Sequence, residues 1–113
     1  MTSLIDEYRR LAIRYGHSIE QGDTEGMDTS TECSQKTFRA IVDAREGNAL
    51  FLLFSDVSPW VQLQAASHCL ELDSARASAK LDELERAGIP HVSTDAKYTL
   101  EGWNSGELRF LKP

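Results

Sequence analysis

The histidines and cysteines, the side chains most suited to nucleophilic and metal chemistry, are few and scattered: His17, His68 and His91, with Cys33 and Cys69. His68 and Cys69 are adjacent. Neighbours on a helix point about 100° apart, so an imidazole–thiolate pair does not form directly there, and Cys69 is expected in the core. None of the five falls at the CxxC or HxxxH spacing that brings two metal ligands together. There is no glycine-flanked serine elbow and no cysteine-protease signature. Gly22 and Gly26 are separated by acids and not followed by the lysine and hydroxyl residue of a phosphate loop. Asp82, Glu83 and Glu85 lie among Lys80 and Arg86, the pattern of a solvated helix face. The expectation is no catalytic residue, no metal and no cofactor.

Binding is better represented. The stretch EQGDTEGMDTSTE carries Glu20, Asp23, Glu25, Asp28 and Glu32 with no basic residue between them. The whole chain has 12 Lys and Arg against 18 Asp and Glu, a net charge of −6. Such a field disfavours nucleic-acid phosphates and suits a basic protein partner, whose approach an anionic surface accelerates. The plainer expectation for the same stretch is a solvated loop.

These residues need a scaffold, and 113 residues with 41% hydrophobic and 27% charged side chains are the size and composition of one globular domain, residues 1–113. Two cysteines without a signal-like leader are expected as buried, unbridged thiols in the cytoplasm, and no segment reaches the roughly 18 apolar residues of a membrane span. Apolar spacing predicts helices throughout. The first runs from a Ser3 cap to about Gln21, burying Leu4, Tyr8, Leu11, Ala12 and Tyr15, with Arg9, Arg10 and Arg14 on its polar side. A second starts near Asp28 or slightly earlier, carries Phe38, Ile41, Val42 and Arg45 toward its end, and stops at EGN, where Gly47 suits a left-handed position. ALFLLF is apolar all round and is assigned to helix by its neighbours. Ser58 and Pro59 open a helix with Val61, Ala65, Cys69 and Leu72 on one stripe, Ala66 and Leu70 beside it, and Trp60 off it. Asp73 or Ser74 opens a helix burying Ala77, Leu81 and Leu84 and stopping at Gly88. Ser93 or Thr94 opens the last, with Ala96, Leu100 and Trp103 on its core face. Leu108 and Phe110 fall in an extended tail. Short connections make consecutive antiparallel pairs.

The paired alanines at 65 and 66 leave a thin waist in the Pro59 helix, which lets neighbouring helices approach closely. Asp56 followed by Pro59, Val61, Ala65, Ala66 and Leu70 resembles the second helix of a HEAT repeat, although Gln62 stands where that family has arginine. ALFLLF, PWVQLQAASHCL, ASAKLDEL and DAKYTLEGWNSGEL resemble a bacterial family known only as a domain of unknown function, number two thousand and nineteen. The resemblance implies an all-α fold of short stacked antiparallel helix pairs, a HEAT- or armadillo-like right-handed superhelix with its core at about 28–104 and a tail at 105–113. It implies no activity. The leading expectation is a non-catalytic protein-binding module, most concretely an immunity protein that occludes a bacterial toxin domain. Glu20, Asp23, Glu25, Asp28 and Glu32 would supply complementary charge, and Gln64, His68 and Glu71 on the outward face of the Pro59 helix would add contacts. Two alternatives stand beside it: a small enzyme or metal or ligand binder with a pocket where His68 meets His17, His91 or a cysteine, and a module that self-associates through an apolar patch around Trp60.

Overall fold

The structure, a computed structural model, describes residues 3–106, so the Leu108 and Phe110 tail lies outside the described residues. Every regular element among them is helical: α1 (Leu4–Gln21), α2 (Thr24–Asp43), α3 (Asn48–Leu52) running into a single 3-10 turn (Leu53–Ser55), α4 (Pro59–Cys69), α5 (Ser74–Arg86) and α6 (Val92–Asn104). Sequential helices pack in pairs, α1 with α2, α3 with α4 and α5 with α6, and α4 also touches α1, α5 and α6. No helix among the described residues is long and apolar enough to cross a membrane. The body measures 35 × 31 × 29 Å.

α4 forms the axis of the core because it is apolar on nearly every side. Trp60, Val61, Leu63, Ala65, Ala66, His68 and Cys69 are all buried, and the two alanines are 0% exposed. Small side chains at those two positions keep the backbones of several helices near one another, and dispersion contacts accumulate at close-packed density. Leu72, assigned to the same stripe, instead sits past the helix end and is 36% exposed.

Trp60 is not an exposed patch. At 9% exposed it lies against Gly16 of α1, with its ring edge-on to Tyr15 at a centroid distance of 5.9 Å. The sequence offers no apolar partner at position 16, and the packing depends on the lack of a side chain there.

The entry to α4 is organised by Asp56. Arg9 donates to its carboxylate from Nε at 2.7 Å and from Nη2 at 3.2 Å, and the Ser58 amide donates to it at 2.9 Å. Gln62 Nε2 donates to the Asp56 carbonyl at 2.6 Å. Ser58 therefore holds the cap position without a side-chain capping bond. Arg9, expected on a solvated face, instead clamps α1 to the turn before α4. The planar guanidinium suits that two-point contact, and it holds the Asp56 carboxyl below its usual range.

Helix ends show where local chemistry overrides the simplest signals. Asp23 accepts from the Gly26 amide at 3.0 Å and starts α2 several residues before Asp28, so most of the acidic stretch is helix rather than loop. At the other end of α2 the left-handed residue is Arg45, with φ 61°, and Gly47 is right-handed with φ −55°. The Arg45 amide reaches the Val42 carbonyl and the Glu46 amide reaches the Ile41 carbonyl, each at 3.0 Å, which closes the helix two residues before the glycine. A side chain at positive φ costs about 1 kcal/mol relative to glycine. Arg45→Gly is therefore expected to stabilise the fold by about 1 kcal/mol, a rise of roughly 5 °C in a thermal melt. α6 begins before Ser93: the Val92 amide reaches back to the Pro90 carbonyl at 2.7 Å around His91 at φ 65°. Ser93 is used differently, its hydroxyl accepting from the Ile89 amide at 2.8 Å and donating to the Leu84 carbonyl at 2.7 Å, which ties α5 to α6.

Candidate functional site

His68 comes from α4, Tyr8 from α1 and Phe38 from α2, and the three meet in the core. The Tyr8 hydroxyl and His68 Nδ1 share a hydrogen bond, and the Phe38 ring stacks on the imidazole at 4.6 Å with 17° between planes. His68, expected on the outward face of α4, is 3% exposed. The reason is that α4 has no true outer face in this stretch: α1 and α2 cover the side that periodicity alone leaves open.

Burial fixes the charge states here. It pushes the His68 pKa down from 6.5 to about 3, with a hydrogen bond at the Gln64 backbone opposing the shift. It raises the Tyr8 phenol well above its ordinary range and pushes the Cys69 thiol up to about 12. At neutral pH all three are uncharged. A general base is most effective with a pKa near the working pH and a cysteine nucleophile must be a thiolate, so burial works against both roles at His68 and Cys69.

Beside the cluster a narrow cleft of about 160 Å³ runs between α1, α2, α4 and α6, with Tyr15, Gln35, Gln64, Asp95 and Thr99 among its walls and His68 also lining it. The Asp95 carboxylate accepts from the Tyr15 hydroxyl at 3.3 Å and lies 3.5 Å from Thr99 Oγ1. Burial raises the Asp95 pKa, and the two hydroxyls pull the other way. Such a volume holds on the order of five waters, well under the roughly 300 Å³ at which ligand pockets begin. Tyr15 and Asp95 also face a broader groove of about 550 Å³, whose walls include Ile19, Met27, Pro90 and Tyr98.

The acidic residues form the other candidate. Glu25, Asp28 and Glu32 recur every three or four residues on α2, on the side opposite the buried Ser30, Ser34, Phe38 and Ile41. They form one exposed row, and Glu20 and Asp23 stand exposed at its start. Asp23 and Glu25 share a shallow hollow with Arg14. Glu32 lies 3.9 Å from Lys36, with both side chains largely in water, so that pair is worth little. Of the second predicted group, Gln64 and His68 meet in the cleft, whereas Glu71 lies beyond the end of α4, outside its walls.

The metal-site alternative requires the histidines and cysteines to converge. His17 and His91 are exposed on different elements, Cys33 is half-buried on α2, and Cys69 is in the core. Among the described residues no group of three His, Cys, Asp or Glu side chains is placed to hold a metal ion. Sequence reasoning missed Asp95, Tyr15 and the Arg9–Asp56 clamp, since each pairs residues at least 47 positions apart with no local signal. Comparison of this chain with known protein families, with curated proteins and with solved structures gives no match.

Proposed function

We propose that the chain is a non-catalytic protein-binding module, its helix pairs stacked in the HEAT-like manner of the domain-of-unknown-function family it resembles, that receives a basic partner on the outer face of α2. The carrying observation is the exposed row of Glu25, Asp28 and Glu32, held on a helix whose opposite face is locked into the core. Glu25, in the first turn of α2, also complements the helix dipole, so part of the pattern belongs to helix stability. Glu20 at the end of α1 is not explained that way. The adjoining groove with Ile19, Met27 and the 62% exposed Tyr98 offers apolar contact next to the charge. In its most concrete form the partner is a bacterial toxin domain, bound in the cytoplasm with its active site occluded. Gln64 and Glu71 add contacts in that reading; His68 does not.

The test uses the product of the neighbouring gene as the partner and a variant carrying Glu20→Gln, Glu25→Gln, Asp28→Asn and Glu32→Gln. Asp23 is spared because it caps α2. The association rate at low salt is expected to fall by roughly tenfold or more, with the difference closing at high salt. Equal rates for the two proteins at low salt, or no complex and no relief of toxicity on co-expression, reject the proposal. The self-association alternative has less support, because Trp60 is covered by α1; sedimentation at high concentration is expected to show a monomer.

A further inference from the structure

A second surface, independent of the acidic row, has the opposite charge. Between the end of α2, α3 and the start of α5 lies a hollow of about 350 Å³, whose walls include Val42, Arg45, Asn48, Phe51, Leu72 and Arg76. We propose that this hollow binds a monoanionic carboxylate carried on an apolar body.

Three features converge on that ligand. First, two arginines line the hollow, and neither Arg45 nor Arg76 takes part in an ion pair among the described residues, whereas Arg9, Arg10 and Arg86 each do. Arg76 is held with its guanidinium carbon 4.2 Å from the centroid of the Phe51 ring, which fixes the cation at the edge of the apolar surface. Second, Phe51, Leu72 and Val42 supply a hydrophobic wall beside those cations, and Asn48 adds a carboxamide able to donate to an oxyanion. A forked guanidinium with an apolar neighbour matches a carboxylate with a hydrocarbon attached. Third, Asp73 lines the same hollow, its carboxylate occupied by the Arg76 amide at 3.3 Å. That negative charge, in a protein of net charge −6, disfavours phosphate dianions and leaves a single carboxylate as the better fit. The positive φ of Arg45 is consistent with this role, since glycine would sit there without strain but could not place a cation at the rim.

Two sources present this chemistry, a free small acid and the C-terminal carboxylate of a peptide ending in an apolar residue, and one titration distinguishes them. The probes are 3-phenylpropionate and a short peptide ending in phenylalanine, each compared with its amide, and binding is read by calorimetry and by amide chemical shifts. Saturable binding of either acid, with its amide at least about tenfold weaker, is expected; the arm that binds identifies the source. Arg76→Gln and Arg45→Gly are each expected to weaken that binding about tenfold or more, with unchanged helical circular dichroism. Arg45→Gly also gains stability, so its lost binding cannot be ascribed to unfolding. The four-fold neutralised variant of the acidic row should bind the probe as the parent does, which separates failure here from failure of the docking surface. No saturable binding of either acid at millimolar concentration, equal binding of acid and amide, or full affinity in both arginine variants overturns the proposal.

Discussion

Gly16→Ala is expected to lower the melting temperature by roughly 10 °C, although alanine is the better helix former by up to about 1 kcal/mol. A Cβ at position 16 would stand 2.2 Å from Cγ of Trp60 and 2.4 Å from Cδ1 and Cδ2. The obstacle is a rigid indole, 9% exposed and wedged at the start of α4, so neither partner can yield by rotating a flexible tip. Overpacking of this kind costs about 3 kcal/mol, and relief requires α1 and α4 to separate. Trp60→Ala in the same background removes the clash, so the double variant is expected to be no less stable than Trp60→Ala alone, a large departure from additivity. Chemical and thermal denaturation of the four proteins measure this. A Gly16→Ala protein as stable as the parent would show that the helices do not approach as closely as the indole contact requires.

The second large effect is with acid. His68 is neutral in the fold, with a pKa near 3, and titrates at about 6.5 when unfolded. The unfolded chain therefore binds one more proton between those values, and stability falls as pH drops from about 6.5 toward 3. The slope is about 1.4 kcal/mol per pH unit, and the full window is worth on the order of 5 kcal/mol, comparable with the total stability of a small domain. Other groups modify the lower part of this window. Arg9 depresses the Asp56 pKa, so protonating Asp56 at still lower pH removes further stability. Asp95, raised by burial, acts in the opposite sense, since it takes up its proton more readily in the fold. Urea midpoints taken at successive pH values should follow this course. A Tyr8→Phe, His68→Leu double variant, which replaces the buried polar pair by apolar groups, should lose most of the slope between pH 6.5 and 4.5. An unchanged slope in that variant would assign the acid sensitivity elsewhere.

Most of the helical architecture follows from local sequence, and the reason lies in the residues that carry it. Ser3, Pro59, Asp73 and Gly88 set helix ends through bonds or torsions within a few positions of themselves, and the apolar steps of α1 and α5 need only one neighbour to be satisfied. Periodicity was less informative for α4, because a helix buried on nearly every side has no polar face to mark its outside. His68 is the consequence: polar by type and off the main stripe, it is nonetheless enclosed by Tyr8 and Phe38. α2 starts at Thr24, a few residues before Asp28, for a local reason: two glycines flank the acids and resemble a turn, while the Asp23 cap outweighs them. The acidic residues were visible in the sequence; their alignment into a single row required the helix. The cleft at Asp95 and the hollow at Arg45 and Arg76 were not visible, because each joins side chains from elements far apart in the chain.

The proposed binding role requires His68 to be part of the core. The most direct test is a heteronuclear magnetic resonance titration of the imidazole in the native protein. One neutral tautomer, with no inflection from pH 8 down to the onset of acid unfolding, is the predicted result. A reversible titration of His68 near pH 6.5 in the folded protein would contradict it, and would return the histidine to the list of groups able to exchange protons with a bound molecule.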